Sequence, residues 1–283
     1  MKIAILGPGS IGSTFAFQLS RAGHDVTVIA RGARLERLRA DEAIVKTNGE
    51  RAKVSVAGSL DPSTPFDLVL VTVLVSQVDA VLPALSASSA KTVMFMFNTF
   101  EPLGRLRDAV GAPRFAFGFP AILATLDDGK LTSEIVSSGM VTTVTDGSWA
   151  KLFREAGITT ATHGDMESWL RTHAAMVTPM MIASARAYER KGGVTWAEAS
   201  ELARAMREGF DLVRRLGNQI TPSPMPALSR LPIAMVAMLV WATSRVPSVR
   251  KTGAAGYGEP RTLIDAMIAA SPDPLPHLGA VRP

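Results

Sequence analysis

The sequence predicts an α/β fold in two parts, a doubly wound domain over residues 1–164 and an all-helical domain over residues 165–283. Three observations carry this. Short apolar β-rich runs alternate with helical stretches from the first residue onward. A G-x-G-x-x-G segment lies between the first such run and the first helix. Beyond Gly164-Asp165 the strand pattern stops and only helical spacing remains.

Lys2–Leu6 reads as a compact strand, and Ser10–Arg21 carries Ile11, Phe15 and Leu19 at helical spacing. Asp25–Ala30 is a second strand and Ala33–Ala40 a short charged helix. Phe66–Val73 and Thr92–Phe97 are unbroken apolar runs, as expected of strands covered on both faces of a parallel sheet. Ser76–Leu85 reads as the crossover helix between them, and Arg114–Phe119, Leu131–Val136 and Met140–Thr145 as further strands of a mixed edge. In the second part Asp165 can cap a helix from about Met166 to Arg190, kinked at Pro179, with Gly192 just past its basic end. Thr195 and Glu198 form a T-x-x-E capping box. The helix it opens has the apolar stripe Leu202, Met206, Phe210 and Val213 and stops at Gly217. The proline-rich loop from Thr221 to Pro226 leads to an apolar helix over Pro232–Thr243. A last helix starts near Pro260, and Pro272, Pro274 and Pro276 mark a loose tail.

Composition excludes several function classes. With 47% hydrophobic and 19% charged residues, the 283-residue chain is an ordinary globular protein. It has no cysteine, so disulfides, thiolate metal sites and cysteine nucleophiles are ruled out, and a reducing cytoplasm suits it. The net charge of +5 is spread along the chain, and the basic stretch from Arg245 to Lys251 holds only Arg245, Arg250 and Lys251 without interleaved aromatics. No nucleic-acid face is expected. The apolar run Leu231–Ala242 has 12 residues, short of the ~20 that span a bilayer, and Met1–Leu6 is broken by Gly7, Pro8 and Gly9 before a signal core can form. A soluble cytoplasmic protein is therefore predicted. His24, His163, His173 and His277 show no metal-ligand spacing, so no metal is expected.

Gly7-Pro8-Gly9-Ser10-Ile11-Gly12 carries the chemistry. Gly7 suits a tight turn, Gly9 lets a pyrophosphate approach the backbone, and Gly12 lets the helix pack closely on the strand. The helix N-terminus offers free N–H groups and positive potential to phosphate. The alternative is a glycine-rich turn that binds nothing. At the end of the second strand, where Asp or Glu would accept from an NAD ribose hydroxyl, the chain has Ala30-Arg31-Gly32. Arg31 can pair with a 2′-phosphate, with Arg34 close behind, which points to NADP; a plain surface arginine is the other reading. Ser76 and Gln77 fall where the loop after the fourth strand approaches the nicotinamide side, with helix capping the alternative for both and the ordinary reading of Ser76.

GPGSIG at 7–12, ARG at 30–32, the apolar strand ending at Val73, Asn98 after TVMFMF and the helical second half together resemble the ketopantoate reductase (2-dehydropantoate 2-reductase) family. The resemblance implies a Rossmann domain joined to an all-helical domain, with NADPH delivering hydride to a 2-keto acid. It implies that Asn98 contacts cofactor and substrate, and that Leu74, Gln77 and Ala124 join Gly7 to Gly12 and Arg31 in binding the cofactor. Leu74 stands where the family has a lysine, and Arg171, in Trp169-Leu170-Arg171, where it has the lysine general acid. Ala175 and Pro179 replace two asparagines, and Leu263, in Thr262-Leu263-Ile264-Asp265, replaces the substrate-side glutamate.

These departures change the chemistry. Arginine stays protonated, so Arg171 can stabilise an oxyanion or clamp a carboxylate but is a poor acid. Glu259 lies near the missing acid and either substitutes for it or satisfies a helix N-terminus. His173 is two residues past Arg171, roughly 200° around the helix, so packing is its ordinary reading and catalysis the sharper one. Met176, Met180 and Met181 suit a core, a dimer face or an apolar substrate wall. The expected function is NADPH-dependent hydride transfer to a carbonyl or imine of a small molecule other than ketopantoate, with Asn98 and Arg171 orienting the acceptor. Opine-type reductive amination is a variant of it, and a catalytically inactive NADP-binding sensor or scaffold is the competing class. The resemblance also implies a homodimer through the helical part.

Overall fold

The computed structural model describes every residue from Met1 to Pro283 and resolves into two compact units. One comprises Met1–Asn98 with Leu103–Met166, the other Thr99–Pro102 with Glu167–Pro283.

The first unit opens with β1 (Lys2–Leu6), α1 (Ser10–Arg21), β2 (Asp25–Ile29) and α2 (Gly32–Asp41). There follow the hairpin of β3 (Ala43–Val45) and β4 (Arg51–Lys53), then β5 (Ser55–Ala57), β6 (Leu68–Val71), α3 (Leu82–Ala87), β7 (Val93–Met96), α4 (Gly104–Val110) and β8 (Phe115–Phe119). A second hairpin of β9 (Ile122–Asp127) and β10 (Lys130–Ile135), then β11 (Thr142–Val144), α5 (Gly147–Glu155) and β12 (Thr160–Thr162), complete it. Eight strands form one sheet in the order β12-β11-β8-β7-β6-β1-β2-β5. From β5 to β8 all pairs are parallel, whereas β11 runs antiparallel to β8. The strand order reverses between β1 and β6, the place where doubly wound sheets bind ligands. Leu6 pairs with both Ile29 and Val71, so the carboxyl ends of these neighbouring strands finish level.

Every residue of β6 and β7 is buried, which explains their unbroken apolar sequences. On α1, Phe15, Ala16 and Leu19 are fully buried, and the Phe15 ring meets Phe153 of α5 at 5.2 Å.

Two expectations for this unit need correction. The crossover helix over Ser76–Leu85 is instead a 3-10 turn at Val75–Gln77 followed by α3, because Pro83 fits only a first helical turn and so resets the helix start. Leu131–Val136 does not join the sheet edge. As β10 it pairs with β9 across Asp128 and Gly129, both at positive φ (43° and 72°), a two-residue turn that matches strand twist. That hairpin buries alternate residues against α1, giving the strand period without membership of the main sheet.

The second unit contains α6 (Met166–Glu189), α7 (Trp196–Arg215), α8 (Met225–Leu228), α9 (Ile233–Thr243), α10 (Pro247–Thr252), α11 (Gly258–Ala270) and α12 (Pro276–Val281). Pro179 lies inside α6, as expected. Its left-handed terminus is Lys191 (φ 55°), not Gly192, and the Gly192 amide returns to Ala187 O at 3.1 Å. The capping box is reciprocal: Glu198 N donates to Thr195 Oγ1 at 3.2 Å and Thr195 N to Glu198 Oε2 at 2.8 Å. Leu202, Met206, Phe210 and Val213 are all buried, and Gly209 brings α7 against α6, since a Cβ there would lie 3.0 Å from Ala175 Cβ. The expected loose tail is structured. Pro276 starts α12, where its missing N–H costs nothing, and Leu278 and Val281 are buried in this unit's core. No helix is long and apolar enough to cross a membrane.

Candidate dinucleotide site

The turn between β1 and α1 is held by its neighbours so that only certain atoms face outward. Gly7 has φ 92°, and a Cβ there would lie 2.6 Å from Val73 Cγ1. A Cβ on Gly12 would overlap Thr72 Oγ1 and lie 2.6 Å from Gly7 O, so this glycine sets the approach of α1 to β6. Gly9 differs: no heavy atom lies within 4 Å of its Cβ position, and the residue faces open space. The carbonyls are turned inward. Thr72 Oγ1 donates to Gly7 O at 2.8 Å, and Pro8 O accepts from Ser13 Oγ at 3.0 Å and from Arg34 Nε at 3.1 Å. Helix α1 begins without any side-chain cap, which leaves the amides of its first turn available to an anion.

A cleft of about 780 Å³ opens beside this turn, within the range of small-molecule and cofactor sites. Of the residues singled out in the sequence, Gly7, Pro8, Gly9, Ser10, Ile11, Arg31, Arg34, Leu74, Ser76 and Gln77 line it, and Gly12 sits behind it. Arg31 precedes α2 in extended conformation, is exposed and engages no carboxylate. Leu74 is 62% exposed. Gln77 turns its amide oxygen back to accept from Leu74 N at 3.3 Å, while Ser76 faces the cleft and caps no helix, correcting its reading as a cap. Asn98 lies two residues beyond β7, half-buried.

Ala124 requires correction. It lies on β9, paired with Ser133 and packed against the core, and does not line the cleft. Its neighbour on the same strand face, Leu126, reaches the cleft instead. Sequence reasoning missed Leu126, Ala80 and Val81 as lining residues; the alternation of Ile122, Ala124 and Leu126 was the available signal.

Arg34 is not an idle partner of Arg31. Its guanidinium donates to three protein oxygens, and burial pushes its pKa below the ordinary arginine value, with nearby Asp41 opposing and Arg37 adding to the shift.

In the helical unit, Arg171 is only 6% exposed. Its Nε donates to Phe100 O at 3.2 Å, its NH1 to Asn218 Oδ1, and its NH2 pairs with Glu167 at 3.2 Å. These bonds tie the 99–102 segment and the 218–221 loop to α6, so each nitrogen of the Arg171 guanidinium already has a partner within its own unit. His173 stacks on Trp169 at 5.2 Å, and burial lowers its pKa to about 3, the packing role. Met176 and Met180 pack on the core of this unit, Leu263 is buried in it at 1% exposure, and Glu259 sits in the first turn of α11.

Residues 3–145 match the family described as ketopantoate reductase PanE/ApbA. A 2-dehydropantoate 2-reductase of Vibrio cholerae serotype O1 is 31% identical over 138 residues, 48% of this chain and 42% of that protein, so the chain matches less than half of that relative's length. Among solved structures, the PanE/ApbA family ketopantoate reductase from Ralstonia eutropha JMP134 has a TM-score of 0.75 at 19% identity, covering 100% of this chain and 96% of its own. A ternary structure of D-mandelate dehydrogenase with NADH and anilino(oxo)acetate has the same TM-score at 15% identity, with the same coverage. Those two likenesses are of fold. The sequence match extends from β1 through the glycine turn to the antiparallel strand β11, and on it the chain belongs to the ketopantoate reductase PanE/ApbA family.

Proposed function

We propose that the chain is an NADP(H)-dependent oxidoreductase acting on a carbonyl or imine of a small organic molecule other than ketopantoate. The observation that carries the cofactor reading is Arg31, exposed on the cleft at the end of β2 where no carboxylate stands. The residues fit a dinucleotide: Gly9 leaves open backbone, the uncapped start of α1 offers amides for a diphosphate, and Arg31 suits a 2′-phosphate. When bound, the dinucleotide supplies a hydride at its nicotinamide ring. Gln77 and Leu74 shape the adjoining wall, with Leu74 offering apolar surface in place of the family's lysine. Asn98, at the end of a central strand, is proposed to orient the acceptor.

Buried Leu263 offers no oxygen to a substrate hydroxyl, which argues for an acceptor less polar than ketopantoate. The same residue and the tethered Arg171 favour a second reading, a dinucleotide-binding sensor or scaffold without turnover. NADPH oxidation measured against a panel of 2-keto acids, ketones and cyclic imines separates the two. Turnover on one class supports the enzyme, and binding without turnover on any supports the sensor.

We further propose a homodimer through α9. Val236, Ala237 and Val240 are buried, while Met235, Met238 and Leu239 on the other side are 53%, 59% and 45% exposed, an apolar stripe that a second copy would cover.

A further inference from the structure

We infer that Arg34 is a positioning residue that fixes the diphosphate turn and the β9–β10 hairpin together, leaving recognition of the 2′-phosphate to Arg31 alone. This rests on the dinucleotide reading of the cleft and assigns a division of labour between its two arginines.

The guanidinium of Arg34 is spent on the protein. Nε donates to Pro8 O at 3.1 Å, NH2 to Ser13 Oγ at 2.9 Å and NH1 to Gly129 O at 3.1 Å. All three acceptors are uncharged, and all three nitrogens of the fork are engaged. An arginine that reads a phosphate needs its fork free for bidentate bonding. Arg31 has its whole fork free, whereas Arg34, which also lines the cleft, has every nitrogen bonded to the protein and only one N–H left on each of NH1 and NH2.

The bonds hold particular parts of the site. Ser13 Oγ accepts from Arg34 and itself donates to Pro8 O at 3.0 Å, so one carbonyl of the glycine turn is held by two donors. Peptide units are planar, so fixing the Pro8 carbonyl fixes the plane of the Pro8–Gly9 bond and the direction in which bare Gly9 faces. The third bond reaches the hairpin turn at Gly129 (φ 72°), which Arg37 also grips through an ion pair with Asp128. From that turn β9 runs back with Leu126 on the cleft wall. Arg34 therefore joins the floor of the cleft to one wall. A lysine keeps the charge but cannot reach three acceptors in the directions of a planar fork.

The test is calorimetric titration of the full chain with NADPH and with NADH, for wild type, Arg34→Ala, Arg34→Lys, Ser13→Ala and Arg31→Ala. As a positioning residue, Arg34 when changed to alanine weakens both dinucleotides by a similar factor, on the order of tenfold, and leaves their ratio near the wild-type value. Arg34→Lys then behaves like Arg34→Ala, and Arg31→Ala weakens NADPH alone. A selective loss of NADPH in Arg34→Ala, or wild-type NADPH affinity in Arg34→Lys, overturns the inference, because either means that the charge at position 34 reads the phosphate. Circular dichroism checks that each variant is folded. If Arg34→Ala is not, Ser13→Ala decides: a smaller, equal weakening of both dinucleotides supports the clasp, and no change in either overturns it. Wild-type protein that binds neither dinucleotide defeats the reading of the cleft itself, a result distinct from all of these.

Discussion

At the scale of single residues, two side chains make opposed statements about charge. Arg31 is exposed and uncommitted, so its guanidinium can bond a phosphate without first breaking protein contacts. Charge-assisted bonds of this kind contribute roughly 1.5–3 kcal/mol. Arg31→Ala is therefore expected to raise the KM for NADPH about ten- to hundredfold while leaving that for NADH nearly unchanged, which steady-state assays against either cofactor check. His173 shows the reverse, a titratable group kept neutral. Burial lowers its pKa from the ordinary 6.5 to about 3. The unfolded chain takes up a proton below pH 6.5 and the folded chain does not until about pH 3, so His173 makes stability fall as pH drops through that window. Its share of the slope is at most ~1.4 kcal/mol per pH unit. Urea unfolding of His173→Phe between pH 6.5 and 5 should show a shallower loss than wild type; equal slopes would refute the assignment. Arg31 was legible because one strand end fixes its place. The engagement of Arg34 was not, since its partners Ser13 and Gly129 lie 21 and 95 residues away in the chain.

Helices and strands were legible where local chemistry decides them. The capping box at Thr195 and Glu198 is a short-range device, and the structure reproduces it bond for bond. Thr195→Ala removes the acceptor of the Glu198 amide and should cost about 1 kcal/mol, read as a shift in the midpoint of chemical unfolding. The hairpin of β9 and β10 was misplaced for the complementary reason. Its alternating pattern is that of any half-buried strand, and periodicity does not say which surface does the burying; here it is α1. Helix α9 had no period to read, being apolar all round, and only the structure separates its packed side from Met235, Met238 and Leu239. If that stripe joins two copies, Met238→Glu should lower the sedimentation coefficient toward that of a monomer. An unchanged value would remove α9 from the interface.

For the molecule as a whole, the alternation of strand and helix and the glycine turn made the doubly wound unit readable, because a parallel sheet needs buried apolar strands and crossover connections. The C-terminal prolines misled, since proline both ends helices and begins them. Leu278 and Val281 of α12 are buried in the core of the helical unit. Deleting residues 276–283 should therefore destabilise the protein by roughly 3–6 kcal/mol, two buried aliphatic side chains, in thermal unfolding. What sequence could not supply was the surroundings of Arg171 and Leu263, the first bonded to Phe100 O and Glu167 and the second buried in the core of its unit.

The account depends on dinucleotide binding at the start of α1 with the extra phosphate on Arg31, and calorimetry of wild-type protein with NADPH and NADH tests it most directly. The account predicts one site per chain and at least tenfold tighter binding of NADPH. No heat with either dinucleotide, or a preference for NADH, would contradict it.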